Sequence, residues 1–138
     1  MNKLQIIGIG ILIVCLNACV QREVEYSTSA TIYLINETNV VVKSGDVLGY
    51  IIQPGDTLIH KESFTTEYGD EGPSINNYDP FPPSPNTSLF VYGDNSQCER
   101  GLHSIENYEN RKEVAPLEFE FTFRFTEEKR DNSESCNL

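Results

Sequence analysis

The most regular pattern in the chain is an alternation of apolar and polar residues near its C-terminal end. From residue 117 to residue 126 the sequence reads LEFEFTFRFT, in which Leu117, Phe119, Phe121, Phe123 and Phe125 alternate with charged residues and threonines. Successive side chains of a strand point to opposite faces of a sheet, so these five apolar groups share one face. Burying them contributes roughly 7 to 15 kcal/mol gross, at about 1.5 to 3 kcal/mol each. The polar row predicts a sheet that is exposed to solvent on its other face.

Shorter runs rich in β-branched and aromatic residues precede that segment. Between two of these runs, Pro54 and Gly55 predict a type II turn. Proline suits the second position of such a turn, and glycine suits the third, which requires a positive φ. Within 57–66, alternation places Leu58, His60, Glu62 and Phe64 on one side. Turn-forming residues every eight to twelve positions are typical of an all-β sandwich or barrel. The runs are 31–35, 40–42, 49–52, 57–66 and 89–92. We predict a single all-β domain over residues 30–138, an antiparallel β-sandwich.

A long loop interrupts this pattern at residues 67–87, which contain five of the seven prolines. Loops of that length without secondary structure are uncommon and are often functional or poorly ordered. Tyr68, Tyr78 and Phe81 lie in it, and aromatic rings supply rigid contact area for a sugar or a peptide. The same rings can instead pack the loop onto its own domain. Both interpretations stay open.

The N-terminal segment carries one positive charge, Lys3, followed by an apolar run from residue 4 to residue 14. About 20 apolar residues are needed to span a bilayer, so this run is too short. Its length fits the apolar region of an export signal. The polar residues 19–29 that follow predict a tether.

The residues after the apolar run, Leu16-Asn17-Ala18-Cys19, resemble the lipobox of bacterial lipoproteins, with Asn17 at its tolerant position. That resemblance implies cleavage after residue 18 and a diacylglyceryl group on Cys19, with further acylation, such as palmitate, on the new amino terminus. Two or three acyl chains anchor a protein durably, whereas one anchors weakly. The alternatives are an ordinary secretory signal with a cysteine near its end and a transmembrane anchor.

The charge balance limits the kinds of partner. The chain has 21 acidic and 10 basic residues, and removal of residues 1–18 takes away only Lys3, which leaves a net charge of −12. Phosphate backbones are repelled by such a surface, so nucleic acid is excluded as a partner. A basic patch for anionic lipid headgroups is excluded as well. A lipid anchor must therefore supply the contact with a membrane.

The four cysteines divide into two groups. Cys15 lies in the signal and Cys19 is the lipidation residue, which leaves Cys98 and Cys136. An even pair in an exported and oxidising compartment predicts a disulfide. A redox-active pair is the alternative, although the C-x-x-C spacing is missing.

The chain as a whole resembles the small β-sandwich lipoproteins common in Bacteroidota. The resemblance lies in the LNAC lipobox, the Y-L-I-N-E-T strand and turn, the I-I-Q-P-G turn and the aromatic strand followed by T-E-E. It implies an immunoglobulin-like or transthyretin-like fold and a lipid anchor in the cell envelope, at the outer membrane, on its periplasmic or its surface face. The residues after Cys19, VQRE, lack the acidic cluster that marks surface export in some of these bacteria.

Candidate chemistry is sparse. His60 and His103 are the only histidines, and neither sits beside a nucleophile in a known motif. Zinc needs three or four close ligands, and the acidic loops lack the spacing of a calcium loop. Glu118 and Glu120 share a strand face, but a glycosidase needs a deep cleft. We expect no catalytic residues, no metal and no cofactor.

Two sequons begin at Asn36 and Asn86, and Asp56-Thr57-Leu58 resembles an O-glycosylation motif of Bacteroidota. In a bacterium the sequons are expected to be accidental. The expected function is that of a non-enzymatic envelope lipoprotein that binds a protein partner or acts as an accessory subunit. The alternative is a glycan- or ligand-binding module that uses the 67–87 loop.

Overall fold

The computed structural model describes residues 24–45, 48–68, 72–81, 89–93 and 97–136. The all-β prediction is confirmed for these residues, which form two sheets and one short α-helix. The elements are β1 (Val24–Asn36), β2 (Val42–Ser44), β3 (Ile51–Ile52), β4 (Thr57–Tyr68), β5 (Phe90–Tyr92), β6 (Gln97–Glu99), β7 (Glu109–Ala115), β8 (Glu118–Phe125), α1 (Glu127–Asp131) and β9 (Glu134–Ser135). Two 3₁₀ turns, Gly101–His103 and Ile105–Asn107, precede β7.

The first sheet has the strand order β4-β1-β8-β7. β1 is antiparallel to β4 but parallel to β8, with Ala30 opposite Phe119 and Leu34 opposite Phe123. The prediction of a purely antiparallel arrangement is therefore wrong for this pair. Parallel neighbours need a long connection, and here the whole second sheet except β9 lies between β1 and β8 in sequence.

The second sheet has the order β3-β2-β5-β6-β9, and all its pairs are antiparallel. Its strands have only two or three residues each. The first sheet has longer strands and therefore extends beyond the second.

The core lies between the two sheets, which gives a β-sandwich-like architecture. Phe125 of β8 contacts two rings of β5, with ring centroids 5.3 Å from Phe90 and 6.0 Å from Tyr92. Because the phenylalanines of β8 are spaced by two, all four of them enter this core. Fully buried members from both sheets are Ile32, Leu34, Val42, Ile52, Phe90, Phe119, Phe121, Phe123 and Phe125.

Residues 24–29, predicted as the second half of the tether, form the start of β1 instead. Each of them pairs with a residue of β4, and Thr28 is buried. The segment is polar in sequence, but its threonine and serines fit a half-buried strand when a long partner is available. Residues 19–23, including Cys19, lie outside the described residues.

Three local predictions have clear outcomes. The type II turn is confirmed, since Gly55 has φ +82° and Asp56 N–H donates to the carbonyl of Gln53 at 3.0 Å. The alternation in β4 is confirmed as well, with residues 58, 60, 62 and 64 less exposed than their neighbours. Leu117, however, lies in the turn between β7 and β8 at φ +64° and not in the strand. A tight turn ending at that residue overrides the alternation of the sequence.

Candidate functional site

The predicted disulfide is confirmed. Cys98 in β6 is bonded to Cys136, which directly follows β9, and their Cα atoms are 5.2 Å apart. Cys98 is buried. The bridge holds the end of the chain against the second sheet, where β9 pairs with β6.

The segment after β8 is folded as α1, although its sequence reads as a charged tail. Thr126 caps the helix, because its hydroxyl accepts a hydrogen bond from Lys129 N–H at 3.2 Å. Glu127 accepts from the backbone N–H of Asn39 at 2.7 Å, and Arg130 donates to the Asn39 side chain at 2.8 Å. These bonds fasten α1 to the turn after β1, so that α1 and the disulfide hold the C-terminal segment at two points.

A cleft of about 610 Å³ lies between α1, β6 and the segment around β9. It is lined by both signs of charge, including Glu99, Arg100, Glu109, Glu128, Lys129 and Glu134. Glu99 accepts from Gly101 N–H at 2.8 Å and from the Tyr92 hydroxyl at 3.3 Å. The carboxylate of Glu109 accepts from Arg124 at 3.0 Å. Several of the lining charges are therefore already engaged within the domain.

Lys129 at this cleft has a lowered pKa. Its ammonium donates to the carbonyl of Arg124 at 2.9 Å and lies 3.9 Å from the centroid of the Phe123 ring. Burial lowers the pKa of Lys129, and the nearby Glu99 and Glu109 offset part of that effect. The ammonium therefore serves as an internal tie between α1 and β8.

Two of the three loop aromatics, for which the sequence allowed either a binding platform or packing onto the domain, lie inside the domain. Tyr78 and Phe81 are each 3% exposed and belong to the core. Tyr78 contacts Phe119 and Phe121 with ring centroids 5.4 and 5.3 Å away. Segment 72–81 thus covers the part of the first sheet that the short second sheet leaves open, which is the self-packing alternative. The side chain of Tyr68 lies outside the described residues.

Glu62 of β4 is the polar centre that holds this segment. Its side chain is only 5% exposed and accepts hydrogen bonds from the Tyr78 hydroxyl at 2.8 Å and from Phe81 N–H at 3.2 Å. His60 Nε2 lies 3.1 Å from the same carboxylate, and its Nδ1 lies 2.9 Å from the Tyr50 hydroxyl. Because a carboxylate only accepts, Nε2 carries a proton and donates. The His60 ring also stacks on Phe81, with centroids 4.5 Å apart.

Three more side chains have raised pKa values, namely the buried Tyr92 and Tyr108 and the exposed Asp79. Burial raises the pKa of Tyr108, whose hydroxyl donates to the carbonyl of Leu102, and burial also raises the pKa of Tyr92. Asp79 has a raised pKa because of desolvation, which His103 opposes and Glu62 reinforces. Both tyrosines are therefore neutral donors over the physiological range, which suits a structural role.

The first sequon has a structural explanation. Asn36 is completely buried, and its amide donates to the carbonyls of Val40 at 2.8 Å and Ile52 at 2.9 Å. Its side-chain oxygen accepts from the Thr38 N–H at 3.0 Å and from the Thr38 hydroxyl at 2.7 Å. The amide thus uses both of its donors and both acceptor sites of its oxygen. The second sequon, at Asn86, lies outside the described residues, whereas Thr57 is exposed at the start of β4.

Within the described ranges, no group of three or more histidine, cysteine, aspartate or glutamate residues is arranged to hold a metal ion. The same ranges contain no helix that is long and apolar enough to cross a membrane. His60 lies on a strand face, as predicted, and His103 ends a 3₁₀ turn. Comparison of the chain with protein-family models, with curated proteins and with solved structures finds no match.

Sequence reasoning missed the cleft and the role of Glu62. The cleft brings together residues from β6, α1 and the end of the chain, and no local pattern signals that proximity. Glu62 does carry a signal, because it interrupts the partly apolar face of β4 with a carboxylate. A buried carboxylate requires hydrogen-bond donors, and the proline-rich segment that follows supplies two of them.

Proposed function

We propose that the chain is a lipid-anchored lipoprotein of the bacterial cell envelope whose β domain is a non-catalytic module that binds a protein partner or serves as an accessory subunit. The Cys98–Cys136 disulfide is the observation that carries this proposal. Disulfides persist in oxidising compartments, and the lipobox at residues 16–19 independently points to export. Two unconnected parts of the sequence thus favour the same compartment.

Binding of a protein partner is favoured over binding of a small ligand, because the aromatic and polar groups of segment 72–81 and of the cleft are largely engaged inside the domain. The aromatic rings of segment 72–81 face the core, and the Glu62 carboxylate is occupied by three donors of the same domain. Several charges of the cleft are engaged internally as well. What the domain offers to the outside is strand surface, which suits contact with another polypeptide.

The finer fold type belongs to the same proposal. The two sheets share one core, and β1 lies beside β8 in the first sheet. Both features support an immunoglobulin-like or transthyretin-like sandwich. An experimental structure with a different pairing of β1, β4 and β8 would contradict it.

The test of the anchor is metabolic labelling with an alkyne analogue of palmitate in a bacterial host, followed by fractionation. The wild-type chain should incorporate the label and sediment with membranes. The Cys19→Ala variant should lose the label and leave the membrane fraction. Cys15→Ala is the matched control, because it removes a nearby cysteine inside the signal and should change neither result.

Two outcomes would contradict the anchor. One is a mature protein whose first residue is not Cys19, as read by mass spectrometry. The other is unchanged sedimentation of Cys19→Ala with membranes. Free thiols at Cys98 and Cys136 in the exported protein would remove the observation on which the compartment rests.

A further inference from the structure

The two edges of the first sheet differ in a way that bears on partner binding. β7 is a protected edge: six of its seven residues are exposed, its pairing with β8 shifts register twice, and Asn110 has φ +49°. Charges and bulges of this kind prevent the addition of another strand. β4, at the opposite edge, pairs with β1 through twelve consecutive residues without a shift. It contains neither proline nor glycine.

The hydrogen bonds of β1 show which backbone groups of β4 point away from β1. Ser29 N–H donates to Leu117 beside β8, whereas Asn36 N–H donates to Asp56 on the β4 side. In an antiparallel ladder, the N–H and C=O of one residue point to the same neighbouring strand, and those of the next residue point to the opposite side. The even-numbered residues of β1 therefore bond to β4. In the observed register, Ala30 lies opposite Glu62, so the even-numbered residues of β4 bond to β1. The odd-numbered residues of β4 direct their N–H and C=O groups outward.

The side chains of the same odd-numbered residues are exposed. Within the described residues no strand pairs with this edge. Ile59 is 56% exposed, which is high for an isoleucine in a strand. Between residues 57 and 65 this row contains one cation, Lys61, and no acid, and its next odd-numbered residue along β4 is Glu67. None of the described residues forms an ion pair with Lys61. Its exposed members, which we call the β4 edge, are Thr57, Ile59, Lys61, Ser63 and Thr65.

We propose that the β4 edge binds an extended segment of a partner polypeptide by strand addition. This names the binding mode of the partner-binding function proposed above and rests on it. The backbone groups of the β4 edge supply the hydrogen bonds, and its side chains supply the selectivity. A β-branched residue fits beside Ile59, and an acidic residue fits beside Lys61, since opposite charges across neighbouring strands attract. The protein carries a net charge of −11, so Lys61 is one of its few cations. An acidic residue of the partner strand would be attracted to it.

The test separates the contribution of the backbone N–H to peptide binding from that of the side chain, at residue 63. Ser63→Pro removes an outward N–H without removing a ladder bond to β1, because proline is tolerated where its nitrogen faces solvent. Ser63→Ala is the matched control. Both variants lose the hydrogen bond from the Ser63 hydroxyl to the carbonyl of Thr28, and only the proline variant loses the outward N–H. Circular dichroism should show both variants folded.

The probe is a fluorescein-labelled heptapeptide of alternating threonine and valine with glutamate at its centre, measured by anisotropy with the full chain in detergent. We expect saturable binding that is unchanged in Ser63→Ala and weakened about fivefold or more in Ser63→Pro, the effect of one lost hydrogen bond. A peptide with lysine in place of the glutamate should bind about tenfold more weakly to the wild type. Lys61→Glu should reverse that preference, whereas Lys112→Glu on β7 should leave it unchanged.

Three results would overturn the proposal: no saturable binding of either peptide, equal binding by Ser63→Pro and Ser63→Ala, or a preference that Lys61→Glu does not alter. Sedimentation of the full chain provides a further arm. A dimer present in wild type and Ser63→Ala but lost in Ser63→Pro would assign the β4 edge to a second copy of this chain instead. These measurements do not depend on acylation, so they can fail while the anchor holds, and the anchor can fail while they succeed.

Discussion

Substitution of Asn36 by aspartate should destabilise the domain more than its chemical similarity suggests. The two residues have nearly the same shape, but a carboxylate cannot donate. Asn36→Asp therefore removes the bonds to the carbonyls of Val40 and Ile52 and leaves those two oxygens facing a negative charge at a site with no solvent exposure. Each buried group that loses its partner costs about 1 to 3 kcal/mol. The expected loss is about 4 kcal/mol, a large part of the roughly 5 to 15 kcal/mol that typically stabilises a domain.

The measurement is urea unfolding followed by circular dichroism, because the chain contains no tryptophan. A loss of that size corresponds to a fall in Tm of about 15 °C for a domain of this length. Asn76→Asp is the matched control, because it makes the same chemical change at an exposed turn position. It should alter stability by less than about 0.5 kcal/mol.

The defect of Asn36→Asp should also depend on pH. Burial opposite two carbonyls raises the pKa of the introduced carboxyl group in the folded state above its ordinary value. The part of the penalty due to the negative charge is complete above that raised pKa, shrinks as the pH falls through it, and is gone below the unfolded value. The loss of one donor remains at every pH, because a protonated carboxyl group donates only one hydrogen bond. Stability within about 0.5 kcal/mol of wild type at pH 7, or a defect that does not change with pH, would refute the role assigned to Asn36.

Two further predictions concern the other fastenings of the domain. Cys136→Ser should lower the free energy of unfolding by about 4 kcal/mol, as the chain-entropy relation gives for a loop of this length, and wild type measured with reductant should match it. An unchanged urea midpoint would show that the bridge does not constrain the unfolded chain. Glu62→Gln keeps the volume but turns one acceptor oxygen into a donor facing Tyr78 or Phe81. It should cost about 1 to 3 kcal/mol and speed proteolytic cleavage within 72–81. Glu118→Gln, exposed on β8, should change neither quantity, and equal cleavage rates for the two variants would refute the role of Glu62 in holding this segment.

Parts of the fold that depend on local pattern were predictable. The spacing of the β8 phenylalanines fixes their common face, and Pro54-Gly55 fixes the turn before β4. The pairing of Cys98 with Cys136 followed from counting the cysteines that remained. The first two signals act over a few neighbouring residues, and two remaining cysteines can pair in only one way.

Other parts depend on tertiary partners and left no local signal. β7 reads ENRKEVA, a polar sequence that becomes a strand because β8 offers it an edge. β6 and β9 are short, and their pairing accompanies the disulfide. α1 is too short to be stable alone, and it is fixed by the contacts of Glu127 and Arg130 with Asn39. The hydrogen bonds to Glu62 depend likewise on a segment further along the chain.

The length of β1 sets a geometry that reaches beyond the domain. At the usual rise of a strand, β1 spans about 40 Å. With β8 running parallel to it, α1 and the cleft lie at the end opposite Val24. The short segment from Cys19 to Val24 reaches at most about 17 Å when fully extended. On the proposed anchor, the end of the sandwich where β1 begins would lie within about 17 Å of the bilayer, and α1 and the cleft would lie at the end of the sandwich farther from the anchor. β4 is antiparallel to β1, so it would begin at the end farther from the anchor and finish beside Val24, at the end nearer to it. A partner strand added to β4 would therefore extend from one end of the sandwich to the other.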